Sequence, residues 1–486
     1  MIHATRLSLL LLLLWLGGCA SLDQPPVPLS PDQQGCWQAF VQLDAALAAD
    51  TGHDQGEYRI PGFPYLRSNR LLASFAAEID QPAQLDSWLA QLAALDSQAR
   101  RLELKRHHPD PRQAEQQAEI LDHCRSQLLA ADRLQPERLA QLKQASQTPD
   151  DYLMHLRVLG VYPLTALGIR WGISGWHRET RETYATPLAT LPVAGQLQRW
   201  ASPAQAEPDR STIAQWLAAS QDPLGIPHPN STQQQMLLAR FAPVWEVDVV
   251  DDNDRIGGFY WDGGAQLDLA SPTEYRHISH TRFAGQTLLQ LNYLIWFPAR
   301  PGNDIYAGWL DGIHWRVTLG ADGQPLIYDS IHPCGCYHLF FPSTALQWRP
   351  GQPGQGLKEP PLSPQVAPAA ERLVIRIGHG RHYIERIYPD AHTDTAIPLQ
   401  AQPYDRLRAL PGKDGHYSLF GPHGQVAGSE RPERVLFWPM GIRSAGAMRQ
   451  WGRHATAFVG RRHFDDAHLF EPLFEPRYES LFEASP

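Results

Sequence analysis

The densest chemistry in the chain is Ile331-His332-Pro333-Cys334-Gly335-Cys336-Tyr337-His338. His332, Cys334, Cys336 and His338 occupy every second position. On an extended strand all four side chains point to one face. Six strand steps cover about 20 Å, too far for one ion, so adjacent pairs chelate unless Pro333 and Gly335 curl the segment. The spacing departs from structural zinc sites, whose cysteines stand two to four residues apart. Two thiolates with imidazole suit zinc or Cu(I). Three readings stay open: a metal site, a strained and reducible Cys334–Cys336 disulfide or redox pair, and two small buried thiols beside surface histidines.

A thiol hydrolase needs a thiolate, a histidine that keeps it ionised, and a group that orients the histidine. Cys336 or Cys334, with His314 and Asp329, supplies those types. A two-residue turn at Asp322-Gly323 sets Ala321 opposite Gln324 and Arg316 opposite Asp329, with His314 two residues along the same face. The plainer alternative is an Arg316–Asp329 cross-strand ion pair with His314 as a neighbour.

Two further clusters qualify. Arg449, Arg453, His454, Arg461, Arg462 and His463 favour an anion, such as a carboxylate or phosphate. Asp465 and Asp466 offer the same arginines ordinary salt bridges. His463 to His468 also has ligand types at workable spacing. On a hairpin centred at Ala284-Gly285, His277 opposes Asn292 and Ser279 opposes Gln290. That set is either the wet side of an antiparallel sheet or a buried, hydrogen-bonded lining.

These residues need strands to position them. From Phe241 onward strand formers dominate, punctuated by Gly-rich turns. Thr273 to Phe283 and Gln286 to Phe297 flank Ala284-Gly285. Tyr306 to Leu319 and Leu326 to His332 flank Asp322-Gly323. Arg372 to Ile377 and His382 to Ile387 flank Gly378-His379-Gly380, and Tyr417 to Phe420 and Gln425 to Ala427 flank Gly421 to Gly424. Adjacent hairpins predict antiparallel sheet, a sandwich or barrel.

Before them, Gln33 to Ala145 reads as helical. Leu85, Trp88, Leu92, Leu95, Ala99 and Leu102 share one helix face, and Asp96, Arg100 and Glu103 fall off it. Residues 150–240 are mixed, and Tyr162-Pro163, Gly168, Gly172 and Gly175 break the periodicity. The fold class expected is α+β. It comprises a mainly helical domain over 33–235, an antiparallel β domain over 236–349, a Pro/Gly linker over 350–370 and a second β-rich domain over 371–486.

The N-terminus carries an address. Arg6 precedes an unbroken apolar run from Leu9 to Leu16, too short to span a bilayer. The run ends in Leu16-Gly17-Gly18-Cys19, which resembles the lipobox of bacterial lipoproteins. The resemblance covers only this segment. It implies cleavage of residues 1–18, acylation of Cys19 and, with Ala20 and Ser21 next, sorting to the Gram-negative outer membrane. Residues 19–32 are Pro-rich and read as a tether. An oxidising periplasm invites pairing of Cys36 with Cys124, natural partners in the helical block.

Composition removes other classes. The chain has 486 residues, 42 basic against 51 acidic, a net charge of −9, and 43% hydrophobic residues. An acidic balance without a basic stripe speaks against nucleic acid as a partner. There is no Walker A segment, His-Glu-x-x-His, Gly-x-Ser-x-Gly or Cys-x-x-Cys-His. The sequence points to a binding or scaffold lipoprotein with the membrane, and an envelope protein, as partners. The alternative is a thiol- or metal-dependent hydrolase centred on His332 to His338.

Overall fold

A computed structural model describes residues 29–203, 208–350, 358–370, 372–391 and 396–477. Cys19 and the signal segment lie outside them. The fold is α+β, with helices mostly toward the N-terminus and antiparallel and mixed sheets after them. The chain divides into two compact units. One takes in residues up to His53, Glu57–Ile79 and Trp88–Thr148, and the other Asp54–Gly56, Asp80–Ser87 and Pro149 onward.

The first unit is built on helices α1 (Pro31–Ala49), α2 (Pro82–His107, from Trp88 on), α3 (Pro111–Arg133) and α4 (Pro136–Ala145). Ser30 opens α1 with a capping box, and prolines stand in the first turns of α1, α3 and α4, where a missing N–H costs nothing. Cys36 on α1 is disulfide-bonded to Cys124 on α3, with Cα atoms 4.9 Å apart. A hairpin interrupts the helices: β1 (Tyr58–Ile60) and β2 (Phe63–Ser68). The turn between them uses Gly62 at φ 79°. The face of α2 expected to be polar is buried. Asp96, Arg100 and Glu103 are at most 1% exposed. Arg67 donates to Asp96 at 3.2 Å and Glu103 at 2.7 Å, and Arg125 reaches Asp96 at 2.7 Å. Mutual pairing, not apolarity, makes this burial tolerable.

The second unit includes helix α5 (Tyr162–Ala185), which runs through the glycines expected to break it. Pro163 sits in its first turn, so it starts the helix instead of ending it. Strands β3 (Gln196–Ala201) and β4 (Val244–Val249) follow. Next come β5 (Thr273–Phe283), β6 (Gln286–Arg300), β7 (Gly308–Leu319), β8 (Pro325–Ile331) and β9 (Leu339–Pro342). The last are β10 (Leu373–Ile377), β11 (Ile384–Pro389), β12 (Ile397–Pro398) and β13 (Gln400–Pro403). One sheet has the order β9-β8-β7-β6-β5-β13, the other β11-β10-β4-β3-β12.

Strand β10 lies parallel to β4, β12 parallel to β3 and β13 parallel to β5. Residues on both sides of the Pro/Gly segment therefore share one sheet. The linker over 350–370 does not separate a first β domain from a second. The boundary at 235 does not hold either, because β3 belongs to the same sheet as β4 and β10. Tyr417 to Phe420 and Gln425 to Ala427 meet only at a single bridge, Phe420 with Val426. The hairpin there is Leu410–Gly412 with Gly415–Tyr417.

Candidate functional site

Strand alternation decides what each face of the larger sheet carries. Leu291, Tyr293, Ile295, Ile313, Trp315, Val317 and Tyr328 face the main core, together with Trp245, Ile375 and Ile377 of the other sheet. The intervening residues make the opposite face. His277 stands opposite Asn292 and Ser279 opposite Gln290, as the two-residue turn required. Arg316 also stands opposite Asp329, but Ala321 does not pair with Gln324: Gly320 N–H donates to Gln324 O, Leu319 opposes Pro325, and an irregularity between Pro325 and Ile327 restores the register. Gln290, Asn292, His314, Arg316 and Asp329 are at most 2% exposed, so this is a lining and not a wet surface.

Hydrogen bonds join most of the lining, although both ring nitrogens of His277 are without one. Ser279 Oγ donates to Gln290 Oε1 at 3.0 Å, and Asn292 Nδ2 donates back to Ser279 Oγ at 3.0 Å. Gln290 Nε2 reaches Thr318 Oγ1 at 3.1 Å, and His314 Nε2 meets Asn292 Oδ1 at 3.1 Å. Arg316 grips Asp329 through Nε at 2.9 Å and Nη2 at 2.5 Å, and donates to the carbonyl of Phe464 at 2.6 Å. His338 Nε2 completes Asp329 at 3.0 Å.

This geometry separates the residues expected to form a triad. Asp329 is held by Arg316 and His338, and His314 by Asn292. Cys336 lies with Cys334 beside the cluster of Leu294, Trp296, Leu310 and Met448. The candidate catalytic set Cys336, His314 and Asp329 is therefore not assembled. The cross-strand ion pair is the arrangement present.

The metal reading fails on backbone shape. Residues 332–338 form a tight loop, not a strand. Gly335 N–H donates to His332 O at 2.7 Å and His332 N–H to Cys336 O at 3.0 Å, with Gly335 at φ 91° and Tyr337 at φ 60°. An added Cβ on Gly335 would stand 2.4 Å from the carbonyl oxygen of Ala455, which is why glycine is required there. The loop sends the two histidines to different carboxylates. His332 Nδ1 meets Asp311 Oδ1 at 2.9 Å, and His338 meets Asp329. Among the described residues, no group of three or more His, Cys, Asp or Glu is placed to hold a metal ion, so His332, Cys334, Cys336 and His338 are not a ligand set. Cys334 and Cys336 are free thiols that hydrogen-bond to one another. Burial pushes the Cys334 thiol up, but the Cys336 thiol and the Arg431 guanidinium outweigh this and bring it down, while Cys336 is raised.

Sequence reasoning missed the network around His332. Asp311 Oδ2 also meets His382 Nδ1 at 3.0 Å, and His382 Nε2 lies 3.3 Å from Asp254. Burial disfavours the charged His382 ring, yet Asp254 and Asp311 more than compensate and raise it. Asp254, Asp311 and His382 come from segments far apart in the chain, and no local spacing links them.

The arginine-rich C-terminal stretch splits. Arg449 and Arg453 line a polar cleft of about 160 Å³ with Arg443, His423, Asp150 and Asp151. Arg449 is anchored by the carbonyls of Cys334 at 3.2 Å and Ser444 at 3.0 Å. Arg453 Nε donates to Gln55 O at 2.7 Å, and its Nη1 lies 3.6 Å from Asp151. Arg461 and His463 hold Asp150 at 2.8 and 3.3 Å, and its carboxyl is brought down to about 2 although burial opposes this. Arg462 turns to Glu359 at 3.4 Å, and His454 is buried beside Phe464 and His314. Four of the six residues expected to bind an anion are thus committed elsewhere. Arg443 and His423 take their place. Burial, and then Arg443 and Arg453, lower His423, which reports a positive field in the cleft.

The chain matches no protein-family model, no curated protein and no solved structure. What it does must be argued from its own groups.

The buried histidines set a pH dependence. Burial pushes His277 and His454 down to about 3, and His177, His280 and His338 to about 4. Unfolded, each takes up a proton below about 6.5. Between that pH and the folded values the unfolded chain binds more protons, so stability falls as pH falls. Burial lowers His314 and His332 as well, with the same sign. His382 is raised, so it is charged in both states below about 6.5 and offsets none of this; its own contribution is lost only as pH rises above that value. The slope is about 1.4 kcal/mol per pH unit for each proton taken up. Urea titrations at pH 7 and pH 5 measure it, and equal unfolding free energies at both would refute the neutral burial.

Proposed function

We propose that this chain is a lipid-anchored protein of the Gram-negative outer membrane, facing the periplasm, that binds a small ligand through a carboxylate or phosphate group. The observation that carries the binding role is the convergence of Arg443, Arg449 and Arg453 with His423 on one cleft of about 160 Å³. That volume suits a small anionic group and not a polymer. Three guanidiniums face two carboxylates, and Asp150 is already answered by Arg461 and His463. Arg449 is held by carbonyl oxygens, which fix its direction without neutralising it. The anchor rests on Leu16-Gly17-Gly18-Cys19 after the apolar run.

Calorimetric titration of the mature chain with inorganic phosphate, and separately with glutarate, tests the binding. Saturable binding of at least one is expected, weakened about ten- to a hundredfold in Arg443→Ala, the usual worth of a charge-assisted bond. Arg443 is exposed, so its removal leaves the fold intact. No saturation with either anion, or an affinity unchanged in Arg443→Ala, overturns the reading.

A further inference from the structure

Helix α5 is apolar on both sides over residues 162–173, while its C-terminal half exposes Arg178, Glu179, Arg181 and Glu182. Tyr162, Ala166, Ile169 and Ile173 pack inward with Met440, Phe458 and Val459. On the opposite side Leu164 is 68% exposed, Leu167 52% and Trp171 83%. A surface helix normally turns polar residues outward, and one that is apolar all round is covered by something. Its neighbours continue the patch. In Met154–Leu159 the side chains of Met154, Val158 and Leu159 are exposed, and beyond α5 so are Val435, Leu436 and Trp438. These elements are pinned together. Arg157 Nε donates to the carbonyl of Met440 at 2.8 Å, and a Cβ on Gly160 would run into Pro439 at 2.4 Å. The patch is one firm surface of the second unit, and soluble surfaces rarely carry one this apolar without a partner.

Its charge and its place in the chain say what covers it. From Tyr152 to Trp176, 25 consecutive residues contain no Asp or Glu, and the fixed charges are Arg157, which is buried, and the half-buried Arg170 at the rim. Arg434 is exposed beside Val435. Apolar side chains, an outward tryptophan and arginines at the rim are the composition of a helix lying in a bilayer interface with anionic headgroups. No helix among the described residues is long and apolar enough to cross a membrane, which fits lying on it. Eleven residues lie between Cys19 and Pro31, a reach of at most about 40 Å, so acylation at Cys19 keeps the folded chain beside the headgroups.

We propose that the face formed by Leu164, Leu167 and Trp171 with Val158, Leu159 and Val435 docks on the lipid surface, a second contact besides the acyl chains. The inference rests on the anchor reading, and each can fail alone. The test uses the mature chain exported behind a cleavable non-lipoprotein signal, and so without acyl groups. It is floated with vesicles of phosphatidylethanolamine and phosphatidylglycerol. Co-flotation is expected, and Leu164→Glu/Leu167→Glu/Trp171→Glu weakens partitioning about tenfold or more. Val366→Glu, on exposed apolar surface elsewhere, leaves it unchanged. Circular dichroism of the triple variant verifies folding, and Trp171→Ser alone weakens flotation by a smaller factor if the triple variant does not fold. No flotation of the unsubstituted chain, or equal flotation of all variants, overturns the proposal. So does a concentration-dependent dimer that the triple variant abolishes without any vesicle binding, which gives the face to a second copy. The anchor is read separately, by globomycin-sensitive processing of the lipoprotein-signal chain, which Cys19→Ser abolishes.

Discussion

Asp329→Ala destabilises the second unit by about 3–5 kcal/mol, the cost of stranding a buried charge. Asp329 is fully buried and accepts two bonds from Arg316 and one from His338. The Arg316 guanidinium also stacks on the Phe464 ring. Without Asp329 that guanidinium keeps one hydrogen bond, to the carbonyl of Phe464. Burial works against the Asp329 carboxylate, but Arg316 and His338 outweigh it and hold the carboxyl below its ordinary value. The paired replacement Arg316→Met/Asp329→Leu removes both charges and recovers most of the loss, because an ion pair and an apolar pair of similar volume are nearly equivalent in a core. Denaturant titrations of the single and double variants decide the matter. A single variant as stable as the unsubstituted chain would show that the pair is solvated.

Removing the Cys36–Cys124 bond has a comparable effect on the first unit. The bridged residues are 88 apart in sequence, and closing so long a loop restricts the unfolded chain by about 4–5 kcal/mol in the chain-entropy model. Cys36→Ser/Cys124→Ser lowers the unfolding free energy of that unit by this amount. Reductant does the same to the unsubstituted chain and nothing further to the variant. Both cysteines are buried, at 8% and 6% exposed, so the serines add a cost for unpaired hydroxyls. Thiol counting on the unfolded chain without residues 1–19 gives two groups before reduction, Cys334 and Cys336, and four after it.

Local rules were legible wherever one hairpin governed the outcome. Ala284-Gly285 sets the register that brings His277 to Asn292, because strand period and turn length leave little freedom once the turn is placed. At Asp322-Gly323 the turn is one residue longer than expected, and Arg316 meets Asp329 because an irregularity between Pro325 and Ile327 offsets it. Cys36 and Cys124 were legible because each lies on a helix of the same block. Reading failed where charge replaced apolarity as the buried material. Asp96, Arg100 and Glu103 look solvent-facing on α2, and only Arg67 and Arg125, from β2 and α3, make their burial possible. The hairpin Tyr58–Ser68 was missed because two short strands between helices carry little periodicity of their own.

The candidate site divides the same way. Residue types alone nominated His332 to His338 as a ligand cluster, since an extended segment would have aligned them. The two positive-φ residues in the loop undo that alignment and send His332 and His338 to different carboxylates. The arginine stretch at 449–463 was visible as composition. Which of its members meet at a cleft depended on Asp150, Glu359 and Arg443, none of them within that stretch. The sequence by itself determines the α+β class, the disulfide partners and the register of the hairpin at Ala284-Gly285, and it alone carries the proposed N-terminal address. Each of these follows from residues close along the chain or from a single pairing. The tertiary structure alone decides which polar groups are buried, which carboxylate each histidine and arginine answers, and which face of α5 is left uncovered. Those outcomes depend on segments that meet only after folding.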